Sequence, residues 1–150
     1  MKSAYRYLAY LLAIEVVVQA AAIAFAIFGL TKWIDDGGTL DKAAMEDEST
    51  TFTGVVGFII HGINGQMVIP LLAIILLIVS FFAKVPGGSK WAAVILVAII
   101  AQVLMGIFGN GLPALGIVHG VNALFIFAAA VMAGKRVSTG SSAHLASERV

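Results

Sequence analysis

Two four-residue stretches carry the same order of chemically active side chains: His61-Gly62-Ile63-Asn64 and His119-Gly120-Val121-Asn122. Each sits inside a long apolar run. On a helix, a His and an Asn three residues apart share one face. Two neutral imidazoles at one depth on separate helices can hold a haem iron from both sides. Ligation uses one nitrogen of each ring, and the other N–H needs a carbonyl or side-chain acceptor. Asn64 and Asn122 are candidates for that role, or for contact with the haem edge. Gly62, Gly65, Gly116 and Gly120 would leave room for the porphyrin face. The candidate site is therefore His61 and His119 as metal ligands of one haem b. Gly62, Asn64, Gly65, Gln102, Gly116, Gly120 and Asn122 are the expected cofactor-binding residues around them. Zinc is a poor rival, because two His with no carboxylate or thiolate beside them lack a ligand set. A His–His proton relay remains open, and so does a polar pair that locks two helices together.

Those runs must be positioned by something that tolerates them. The 150-residue chain is 61% hydrophobic and 11% charged, the balance of an integral membrane protein of one domain. It has no cysteine, which excludes disulfides and thiolate metal sites. No basic run mixes with aromatics, so no nucleic-acid partner is expected. Four segments reach the roughly 20 apolar residues needed to cross a bilayer: about 5–30, 52–82, 91–108 and 112–133. The first is too long for the roughly 7–15-residue apolar region of a signal peptide, and with Met1 at the start it is expected to be retained. Backbone groups in lipid must pair within their own segment, so the expected fold is all-α, an integral membrane four-helix bundle over residues 1–136. The Ser-rich 137–150 is expected to be a mobile polar tail, with His144 solvated.

Basic residues set the expected orientation. Lys2, Arg6, Lys84, Lys90, Lys135 and Arg136 all fall on one side of a hairpin path. That side is expected to be cytoplasmic, with both termini there and the cell (plasma) membrane as the location. The segment with Asp35, Asp36, Asp41, Glu46, Asp47 and Glu48 falls outside. His61 lies roughly 13 Å below the outer start of segment two and His119 roughly 10 Å below that of segment four. Counts from the inner ends differ by roughly 9 Å, because segment two is longer. Pro70 is expected to bend helix two. Ala20/Ala24 and Gly116/Gly120 offer small faces for close helix packing or for a flat ligand. Glu15, Gln19, Gln66 and Gln102 are the other strongly polar groups within the runs, each costly in lipid unless it has a partner or a function.

Helices three and four, "AQVLMGIFGNGLPALGIVHGVNALFIFAAAVMAGKR", resemble one four-helix half of a haem A synthase. That family has eight helices in two halves, each placing a haem-ligating His on its second and fourth helices near the outer side. By helix order, the resemblance puts His61 and His119 on the ligand positions. Residues 5–136 also resemble an uncharacterised actinobacterial family of small four-helix membrane proteins. Its members share a "VVVQ"-like first helix and His-x-x-Asn on the second and fourth helices. The synthase family carries a Glu just ahead of its helix-two His and an Arg beside it. This chain has Phe58, Ile59 and Ile60 before His61 and Gly62 after it, so the catalytic carboxylate is missing. Glu15 is on another helix and nearer the cytoplasm. The expectation is haem binding and electron transfer in place of haem hydroxylation, because a bis-His iron has no open position.

The expected function is thus a b-type haem protein passing electrons to or from quinone or a respiratory complex. A homodimer, or a place in a larger membrane complex, would give Glu15 partners and occupy the small faces at Ala20/Ala24 and Gly106/Gly109. The alternative is a haem-free structural or assembly subunit. A third reading is a proton or solute conduit using Glu15 and the histidines.

Overall fold

The computed structural model describes residues 1–47 and 49–147, with 138–147 as helix backbone. Among the described residues it is all-helical, without strands. Helix α1 is Lys2–Asp35 and a short α2 is Lys42–Glu46. Helix α3, Val55–Ile63, passes through a π-helical turn at Asn64–Val68 into α4, Ile69–Ala83. Helix α5 is Gly88–Phe108 and α6 is Leu115–Ser147. Among the described residues four helical stretches are long and apolar enough to cross a membrane: Lys2–Asp35, Val55–Ala83, Gly88–Phe108 and Leu115–Val137.

The helix limits follow local chemistry. Asp41 caps α2 by accepting from Ala44 N at 2.8 Å. Lys84 adopts φ 51° and Gly87 φ 69°, so the chain turns sharply between α4 and α5. The fourth span begins at Leu115 and not at Leu112, because the Gly111–Pro113 link is a turn, with Gly111 N bonded to Phe108 O at 3.1 Å. The second span likewise begins at Val55, after Gly54 at φ 100°. Each histidine is therefore nearer its helix start than the sequence implied, at about 9 Å for His61 and about 6 Å for His119. The polar stretch after residue 137 continues the α6 backbone to Ser147, and 148–150 lie outside the described residues. In the loop, Asp47 accepts from Ser49 N and Ser49 Oγ at 2.8 Å each, and those bonds hold its carboxyl below the usual carboxylate range.

The chain forms two compact units, Val17–Gly65 and the remainder. In the remainder, four helical segments pack on an alanine-rich core. Tyr5, Leu12, Leu76, Ile95, Ile99 and Ile126 are its largest fully buried side chains, joined by Ala9, Ala73, Ala92, Ala130 and Ala133. Tyr5 donates from its hydroxyl to Gly88 O at 3.1 Å. Large apolar residues point the other way, as with Ile117 at 74% exposure. Small residues inside and bulky ones outside are what close helix packing in lipid produces.

In Val17–Gly65, the second half of α1 meets the start of α3 at backbone range. A Cβ on Gly57 would collide with Ala22 O and lie 3.0 Å from Ala26 Cβ. A Cβ on Gly54 would lie 2.6 Å from Phe25 O, and one on Gly29 would collide with Thr53 O. The small face within this unit is thus Ala22, Ala26 and Gly29, whereas Ala20 and Ala24 are exposed. Trp33 stacks on Phe52 at 5.8 Å, and Phe52 meets Phe58 edge-on at 6.3 Å.

Candidate functional site

Each His–Gly–x–Asn stretch meets a glutamine on the membrane-length helix that precedes it. In Val17–Gly65 that residue is Gln19 of α1. Donors and acceptors fix its amide orientation. The oxygen accepts from Gly65 N at 2.9 Å and from Asn64 Nδ2 at 3.1 Å. The nitrogen donates to His61 O at 3.1 Å and reaches His61 Nδ1 at 2.6 Å. His61 Nδ1 also lies 3.2 Å from the backbone oxygen of Gln19. The amide thus spans the His61 carbonyl and the Gly65 N–H, one turn apart, where α3 gives way to the π-turn. A side chain at the hydrogen-bond ladder is one recognised source of such a distortion. Pro70 is another, since it leaves Gln66 O without a donor in the α register. The π-turn, a feature often found at functional sites, ends just ahead of Pro70.

In the other unit the partner is Gln102 of α5. Asn122 Nδ2 donates to Gln102 Oε1 at 2.7 Å and to Ala98 O at 2.9 Å. The His119 ring lies against Gly106, whose Cβ would be 3.5 Å from His119 Cε1. Glycine at 106 therefore makes room for the imidazole.

The expected site residues thus fall into two local clusters: His61, Asn64 and Gly65 with Gln19, and His119 and Asn122 with Gln102 and Gly106. Nothing lies within 4 Å of a Cβ built on Gly62, Gly116 or Gly120. Gly65 differs. Its vacant side is taken by the Gln19 amide, whose atoms lie 3.5–3.7 Å from a built Cβ. The asparagines also differ, since both engage glutamines, and for His61 the nearby carbonyl belongs to Gln19. The sequence left two residues out of the site: Gly106, which was expected on a small packing face and instead meets the His119 ring, and Gln19. The signal for Gln19 was positional: Gln19 and Gln102 are each on the membrane-length helix before a His–Gly–x–Asn helix. Among the described residues no group of three or more His, Cys, Asp or Glu gathers to hold a metal ion. A bis-His haem asks for two ligands only. No protein-family model, curated protein or solved structure matches the chain.

Proposed function

We propose that the chain is a membrane-embedded b-type haem protein that transfers electrons, with His61 and His119 as the axial ligands of one haem. The observation that supports this most is the repeated cluster: Gln19 with Asn64 beside His61, and Gln102 with Asn122 beside His119. Ligation through Nε2 would require the proton on Nδ1, where the Gln19 backbone oxygen at 3.2 Å can accept it, so iron would have to displace the 2.6 Å contact that the Gln19 amide nitrogen makes to Nδ1. Gly62, Gly116 and Gly120 add flat, open helix surface next to the two histidines. Haem, when bound, supplies a one-electron centre. The protein's own part is to hold both imidazoles, orient them by hydrogen bonds and exclude water with its apolar spans.

We further propose both termini on the cytoplasmic side of the cell membrane, from the distribution of Lys and Arg. Quinone or a respiratory complex is the proposed redox partner. A second copy or a larger membrane complex is the proposed companion, because Ala20 and Ala24 stay exposed on α1. Mass measurement in nanodiscs tests that association, and a lone 15.6 kDa chain would refute it.

A second reading has its own support. Asn122 ties α6 to the Ala98 carbonyl and the Gln102 side chain of α5, which is how polar residues dock helices in a haem-free structural subunit. A visible spectrum separates the two. The haem reading expects a low-spin reduced spectrum with split b-type bands, lost in His61→Ala and in His119→Ala. Purified protein with no such bands after haem reconstitution would leave the structural reading, and bands kept in both variants would overturn His61 and His119 as the ligands.

A further inference from the structure

Where α4 turns into α5, the surface opens into a groove of about 420 Å³ lined by Gly87, Lys90, Trp91, Val94, Phe125 and Arg136. We propose that this groove binds an anionic phospholipid. Its cationic end is built from two elements. Arg136 of α6 lies with its guanidinium carbon 5.0 Å from the Trp91 ring centroid, a cation–π geometry. Arg136 Nη1 is 3.8 Å from the position of a Cβ on Gly87, so the guanidinium sits close over the turn that starts α5. Lys90 and the positive end of the 21-residue α5 face the same space. Among the described residues none of those lining the groove is acidic. An Arg fork, an ammonium and a helix N-terminus together suit a phosphodiester.

The other walls decide between a lipid and a soluble phosphate. Val94 lies one turn further along α5 than Lys90, and Phe125 lies about three turns before Arg136 on α6. The groove therefore changes from cationic to apolar along the helix axis, with Trp91 near the change. A phospholipid has the same order of phosphate, ester and acyl chain, and Trp favours that interfacial level. A zwitterionic headgroup would leave the two cations only partly matched, so the preferred headgroup carries net negative charge. This inference does not depend on haem binding.

Trp91 is the reporter. Trp33→Phe leaves it as the sole tryptophan, since the chain has 2. The full-length protein is placed in vesicles containing phosphatidylglycerol or phosphatidylcholine with brominated chains at equal mole fraction. Phosphatidylglycerol is expected to quench Trp91 more strongly, and the difference should shrink as sodium chloride is raised. Each basic residue near the surface is worth roughly a fivefold preference, so Arg136→Gln should cut the preference about fivefold, while Arg136→Lys, which keeps the charge but not the fork, should cut it less. Equal quenching by the two lipids in the Trp33→Phe protein overturns the proposal, whether or not Arg136→Gln folds. Removal of the preference by inorganic phosphate, at an ionic strength where sodium chloride leaves it intact, also overturns it and assigns the groove to free phosphate.

Discussion

Asn122 and Gln102 form a 2.7 Å hydrogen bond between α6 and α5, and Asn64 and Gln19 repeat that pairing at 3.1 Å between the π-turn that follows α3 and helix α1. In both places the asparagine lies three residues after a histidine. The repeat therefore extends beyond the four-residue motif to the neighbouring helix. An amide pair within an apolar span satisfies groups that lipid cannot, and it sets the rotation of the His-bearing helix about its axis.

The Asn122–Gln102 pair should contribute measurable coupling. A double-mutant cycle with Asn122→Ala and Gln102→Ala, followed by unfolding in mixed micelles, should give about 0.6 kcal/mol and at most roughly 1.7 kcal/mol. Additivity of the two single variants would mean that the bond adds nothing to stability.

Gln19 should decide the tautomer of His61 when no iron is bound. Its amide nitrogen is 2.6 Å from Nδ1, whereas its backbone oxygen is 3.2 Å away. The shorter contact dominates, so Nδ1 accepts and Nε2 carries the proton. Gln19→Leu removes that donor and should move the proton to Nδ1, towards the backbone oxygen. Nitrogen-15 NMR with labelled histidine reads this directly. The same tautomer in both proteins would remove Gln19 from the role.

Close approach and open space should separate the glycines. Gly57→Ala drives a methyl into Ala22 O and should destabilise the fold by about 1–3 kcal/mol. Gly54→Ala adds strain at φ 100° as well as the 2.6 Å approach to Phe25 O. Gly62→Ala meets nothing within 4 Å, and its stability should stay within roughly 0.5 kcal/mol of the parent. If haem lies against that surface, Gly62→Ala should nevertheless alter the visible spectrum or weaken haem retention. Thermal unfolding and spectra of the three variants check the set.

Cysteine labelling tests the orientation. The chain has no native cysteine, so Asp41→Cys and Ser3→Cys report alone. Asp41→Cys should react with an impermeant maleimide added to intact cells. Ser3→Cys should react only after permeabilisation. Reaction of both before permeabilisation overturns the proposed topology.

The sequence by itself determined that the chain is helical and carries four stretches able to cross a membrane. Apolar runs of that length leave the backbone no partner in lipid but itself, and that constraint acts within each segment. The turns at Lys84–Gly87 and Gly109–Pro113 were legible for the same reason, since Gly and Pro act locally. The His–Gly–x–Asn repeat was legible as spacing on a face. Tertiary structure decided which neighbours those faces meet. Ala20/Ala24 and Ala22/Ala26 have the same spacing, and only the packing of α1 against α3 selected the second pair, where glycines on α3 allow backbone contact. Gly62 and Gly65 are both glycines within four residues of His61, yet the Gln19 amide fills the vacant side of Gly65 and leaves that of Gly62 open. Gln19 lies 42 positions from His61, and no local periodicity encodes that meeting. It comes from the register of two helices, set by the small residues that let them close.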